Sequence, residues 1–171
     1  PYNPDHRYCW DLLPEYYTSH KKFFDKDEWT STKLMKSGDI KKYYKYVCNG
    51  IDEVLASYGY IRNKKGYYNV ISPNPDNPNF DSSVKKYQLV SDKNLNEDCT
   101  LVFFCHLGVM FTIIAHLIGC SPLQLWQGMY VAPNSVNVLN CEERVCGQGF
   151  FRVERLGDTQ HLTAGGMKIS S

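Results

Sequence analysis

The stretch from Leu101 to Cys120 constrains this chain more than any other. Its first part, Thr100–Cys105, is a continuous apolar run of strand length. Its second part, Gly108–Leu117, sets Val109, Phe111, Ile113, Ile114 and Leu117 at helical spacing before Gly119. A buried strand feeding straight into a buried helix is the unit of a layered α/β domain rather than of a bundle or sandwich. His106, Gly108, Thr112 and His116 interrupt the stretch, so it lacks the unbroken apolar run of a bilayer span.

The flanking sequence fits one domain over residues 1–171. Ser121-Pro122-Leu123-Gln124 combines a capping serine, a proline at the first helical position and a glutamine three residues on, which predicts a second short helix through Trp126 after a tight turn. Upstream, Ile40, Tyr43, Tyr44, Val47, Ile51, Val54, Leu55 and Tyr58 form one stripe of an amphipathic helix, started at Ser37 or Asp39 and ended by Gly59. Lysines 41, 42 and 45 fall on its other face and read as solvated surface. Strand-like runs occur at Tyr67–Ile71 and Tyr87–Val90. Between them, residues 72–83 are rich in proline and asparagine and form the segment expected to move most. Ser135–Leu139 and Phe150–Arg155 alternate as two antiparallel strands around Gly147-Gln-Gly149, and a turn-like tail follows from Gly157.

Residues 1–36 hold Trp10, Trp29, Phe23 and Phe24 without sustained periodicity and predict a loop-rich, aromatic segment with short helical pieces. It reads first as a flap over a core. As a lid over a pocket it would bring Trp10 and His6 to a ligand, and its rings would suit a partly apolar or ring-bearing one.

Charge excludes one class of partner. With 19 Lys+Arg against 18 Asp+Glu and no basic block longer than a lysine pair, nothing predicts a nucleic-acid phosphate track. Seven scattered cysteines without a CxxC pair fit reduced thiols and a cytoplasmic setting better than a disulfide framework or a zinc site. Cys141 and Cys146 are close enough to span a hairpin, but read more simply as small hydrophobes. No metal or nucleotide loop is implied, so no cofactor is expected. The amino end lacks the order of a secretory signal, and it begins at Pro1 rather than Met, which leaves room for an earlier segment.

His106 is the residue best placed for chemistry. In an open α/β sheet, ligands bind at the carboxyl ends of strands, where the next helix offers free N–H groups and a positive dipole end to an anion. A phosphate contact and a satisfied structural histidine both fit that position. His116 reads as a core or helix-face residue well away from His106, and His161 as a structural hydrogen bonder.

The run Leu-Val-Phe-Phe-Cys-His106-Leu-Gly108, the following helix with its His116-Leu-Ile-Gly ending, the short helix with Trp126 and the strand Asn134-Ser135-Val136 resemble the second histidine motif of the histidine phosphatase superfamily, which includes the phosphoglycerate mutase-like phosphatases. Asp158-Thr-Gln-His161-Leu162 is similar to that family's closing segment. The resemblance covers residues 99–162 and, more loosely, 37–60. It implies a three-layer phosphoglycerate mutase-like sheet flanked by helices, here lacking its amino-terminal strand. It also implies hydrolysis of a small phosphorylated metabolite through a phospho-histidine. His106 would bind the transferring phosphoryl group, with Gly108 and Asn134 near the substrate.

The sequence departs from that pattern at three places. Cys105 stands where the family has serine, and Leu107 where it has glycine. Arg-His-Gly, which carries the family's nucleophile, occurs nowhere in the 171 residues. The enzyme reading therefore needs a preceding segment or a partner chain, and a homo-oligomer is the other association expected. The other reading is a non-catalytic phosphate-binding or interaction domain derived from the same fold.

Overall fold

The structure is a computed structural model that describes residues 11–72 and 99–169. Helix α1 (Pro14–Ser19) and two 3-10 turns (Lys21–Phe24 and Trp29–Ser31) lead into α2 (Lys33–Ser37) and the long α3 (Ile40–Ala56). Strands β1 (Tyr60–Arg62) and β2 (Tyr68–Val70) follow. After residue 99 come α4 (Leu107–Ile118), α5 (Pro122–Gly128), β3 (Val136–Val145), β4 (Gln148–Asp158) and α6 (Gln160–Ala164). The four strands form one antiparallel sheet in the order β1-β2-β4-β3. The chain is thus a mixed α/β arrangement.

Three apolar clusters hold these elements together, and two residues join them. Leu12, Phe23, Trp29, Met35 and Leu123 form the first, and Phe111, Ile114, Ala115, Leu125 and Val131 the second. Trp126 packs against both. Ile51, Leu55, Tyr68 and Leu117 form the third, joined to the second by Leu139. Phe23 and Trp29 are 0% and 1% exposed, so these two rings of the aromatic segment belong to the core, whereas Phe24 is 43% exposed. Each such buried ring contributes about 1.5–3 kcal/mol by leaving water.

Helix α3 begins at the predicted residue, ends at Ala56, short of Gly59, and buries Cys48, Ile51 and Leu55, while Tyr43 and Val54 of the predicted stripe are exposed. Its start differs in detail. Asp39 occupies the cap with φ of 53° and accepts no capping bond through its side chain, while Ser37 Oγ donates back to the Leu34 carbonyl. Helix α4 ends on Gly119 at φ 76°, where the N–H groups of Gly119 and Cys120 both donate to the Ala115 carbonyl. That left-handed residue makes the tight turn into α5 without a Cβ penalty. At the start of α5, the Ser121 N–H donates to Gln124 Oε1 at 3.2 Å, closing the glutamine side of the predicted capping box. Ser121 Oγ, fully buried, makes no bond of its own among the described residues.

Several expectations need correction. The Thr100–Cys105 strand is not formed: residues 101–106 carry no strand pairing, and Val102, Phe103 and Phe104 are 71%, 48% and 97% exposed. A buried strand requires backbone partners on its edges, and no described strand lies beside this one; only Leu101 packs inward. Gly149 lies inside β4 rather than in the hairpin turn, which is Cys146-Gly147 alone. The tail forms the helix α6 in place of a turn, and β1 adds a strand that the sequence pattern does not signal. The Tyr87–Val90 run, and residues 73–83 of the proline-rich segment, lie outside the described residues, whereas Ser72 is buried.

Candidate functional site

Helix α4 carries a histidine position at each end, and the two ends differ in chemistry. His106 is the residue before the first turn, in extended conformation, with its side chain exposed and making no capping bond. Its imidazole has no hydrogen-bond partner among the described residues. No acidic residue lies in the first turn of α4, so its free N–H groups and positive dipole end are unopposed locally. Gly108 follows on this turn. Its carbonyl accepts from Thr112 Oγ1 at 2.8 Å and from Trp126 Nε1 at 3.3 Å, and a Cβ built on it would meet nothing within 4 Å. The glycine is therefore not required by packing.

The other predicted residues lie elsewhere. Asn134 sits in an exposed turn at φ 60°, a left-handed conformation that asparagine tolerates. Trp10 and His6 lie outside the described residues. Asn137, on β3, ties this end of the molecule together. Its Oδ1 accepts from the Gly157 N–H at 2.7 Å, and its Nδ2 lies 2.9 Å from Met110 Sδ on α4.

At the far end of α4, His116 belongs to a network that the sequence reading did not find. Its Nε2 lies 2.9 and 3.0 Å from the two carboxylate oxygens of Asp52 on α3. Tyr68 on β2 donates its hydroxyl to Asp52 Oδ1 at 2.7 Å. Arg62 on β1 donates to Tyr68 Oη at 2.8 Å and to the His116 carbonyl at 3.0 Å, and its guanidinium lies 5.2 Å from the Tyr68 ring centre. Burial, followed by the bond to Asp52, pushes the Tyr68 hydroxyl well above its ordinary pKa. One signal was available: Asp52 follows Cys48 by four residues and so lies on the buried side of α3, where a carboxylate needs a partner.

Beside this network opens a cavity of about 350 Å³, bounded by the 3-10 region, one face of α3, the β1–β2 turn and the end of α4. Lys41 and Lys45 line it, so these lysines are exposed, as expected, but face a shared recess. Cys48 also borders it, and burial pushes its thiol up to about 11.

Among the described residues no helix is long and apolar enough to cross a membrane, and no three His, Cys, Asp or Glu side chains gather as a metal site. Compared with protein-family models, with curated proteins and with solved structures, the chain finds no match in any of the three.

Proposed function

We propose that the His106 end of α4 is part of a site that hydrolyses a small phosphomonoester in the manner of the histidine phosphatase superfamily. The position of His106 carries this reading: a free, exposed imidazole immediately before the unopposed first turn of a 12-residue helix. The open space at Gly108 supports it, because a phosphate oxygen can approach backbone N–H groups there without meeting a Cβ. Val102, Phe103 and Phe104 add an exposed apolar surface next to the histidine, the kind of patch that further polypeptide covers.

In this reading that further polypeptide completes a three-layer phosphoglycerate mutase-like sheet and brings the attacking histidine. The attacking nitrogen forms a bond to phosphorus as the ester oxygen leaves with its electron pair and takes up a proton. Water then displaces the histidine and releases inorganic phosphate. His106 and the N–H groups beside it hold the non-bridging oxygens as charge develops on them. The protein setting is cytoplasmic, and the substrate is a small phosphorylated metabolite.

The absence of Arg-His-Gly from the 171 residues favours a second reading, phosphate binding without turnover. Two measurements on wild type and His106→Ala separate the readings: hydrolysis of p-nitrophenyl phosphate by the natural protein, and vanadate titration followed by amide NMR. Hydrolysis that falls about 10²–10³-fold in the variant supports the enzyme. Saturable vanadate shifts at residues 106–109 that vanish in the variant, in a protein without turnover, support the binding domain. Neither effect at His106 overturns both.

A further inference from the structure

The cavity at the opposite end of α4 has a charge pattern that the phosphatase reading does not use. Residues 41, 44, 45, 48 and 49 of α3 face it, the i, i+3, i+4, i+7, i+8 row of a single helix face. This brings Lys41 and Lys45 onto one wall, and the β1–β2 turn brings Lys64 and Arg62 to another. None of Lys41, Lys45 and Lys64 forms an ion pair among the described residues. Of the remaining charges, Lys26 lies 2.5 Å from Asp27 and the two cancel at the rim. Asp52 stands 4.0 Å from the Arg62 guanidinium and is already shared with His116 and Tyr68. The carbonyl end of α4 would repel an anion, but Arg62 caps its His116 carbonyl.

Trp29 lines this cavity, is 1% exposed, and its indole Nε1–H has no acceptor among the described residues. That N–H is closed off from solvent, with the ring packed edge-on against Tyr44 and Trp126, so Trp29 forms part of the cavity wall and the cations supply the contacts. We infer that this cavity is a second binding site, separate from His106, for a small polyanion such as a phosphorylated metabolite. Its volume suits a small molecule and not a polymer track. The network of Asp52, His116 and Tyr68 holds Arg62 in place at its base, so the site is largely formed before the ligand arrives.

The test is a titration of the chain with inorganic pyrophosphate, followed by amide and indole NMR, against chloride at matched ionic strength. Saturable shifts are expected at Lys41, Lys45, Asn63, Lys64 and the Trp29 indole N–H. The combined variant Lys41→Gln, Lys45→Gln, Lys64→Gln is expected to weaken binding at least about tenfold. The combined variant Lys33→Gln, Lys36→Gln, Lys42→Gln, an equal charge change at exposed lysines outside the cavity, is expected to leave it within about twofold. His106→Ala leaves the site intact, so its failure and that of the phosphatase reading are told apart. Shifts that grow linearly without saturating, that survive the triple variant, or that are confined to residues 106–109 overturn the proposal.

Discussion

His116 Nε2 lies 2.9 Å from Asp52 Oδ1 and 3.0 Å from Asp52 Oδ2, so one imidazole joins the end of α4 to the middle of α3. The side chains are 11% and 24% exposed, and the carboxylate accepts from Tyr68 as well. Removing it leaves several donors unsatisfied at once. Asp52→Ala is expected to destabilise the fold by about 1–3 kcal/mol, and Asp52→Asn by less. Urea unfolding of both, with Tyr68→Phe in a double-mutant cycle, checks the coupling; additive effects would refute it.

Gly149 pairs with Tyr68 on one side and Glu143 on the other, in the middle of the sheet. A Cβ there would stand 2.7 Å from Cys141 Sγ and 3.1 Å from Val70 Cγ2. Gly149→Ala is therefore expected to lose about 1–3 kcal/mol by overpacking. Adding Cys141→Ala should recover part of the loss, which thermal unfolding of the pair would reveal.

Gly108 offers the reverse test, since nothing stands within 4 Å of its missing Cβ. In a helix, alanine is favoured over glycine by about 0.5–1 kcal/mol, so Gly108→Ala should raise stability. If phosphate approaches this turn, the same methyl should weaken vanadate binding several-fold. A variant that is more stable and binds vanadate as before would place the anion elsewhere.

The thiols of Cys48 and Cys141 are both held up at about 11 from an ordinary 9.0, chiefly by burial. Between those values the unfolded chain sheds these protons and the folded chain keeps them. The contribution to stability is complete below pH 9.0 and is lost as pH rises through about 11. The melting temperature should fall across that window, and less steeply in Cys48→Ala. At mildly alkaline pH, iodoacetamide should label exposed Cys99 and Cys146 before Cys48 or Cys141. Peptide mapping reads the order.

The local elements were legible in the sequence where a single segment decides them. The stripe of α3, the glycine stop of α4, the proline start of α5 and the alternation of β3 and β4 each depend on neighbours within a few residues. The 100–105 run failed because apolar composition says that a strand would be buried, not that a partner strand lies beside it. The cation recess escaped notice for a related reason. A chain of net +1 with lysines at 41, 45 and 64 is neutral on average, and only folding brings those three to one opening. The Arg62–Tyr68–Asp52–His116 network joins four elements, and no spacing rule along one element predicts it.

Helix α4 runs unbroken from the His106 cap to Gly119 and is gripped by buried side chains along its length. Ten residues separate His106 from His116, a rise of about 15 Å, and each residue also turns the helix by about 100°. Inserting or deleting one residue between them would swing His106 about a third of a turn relative to the recess while shifting it little along the axis. The number of residues in α4 is thus a phase setting between two faces of the molecule. Substitutions on its exposed positions should be absorbed easily, but a change in its length should not.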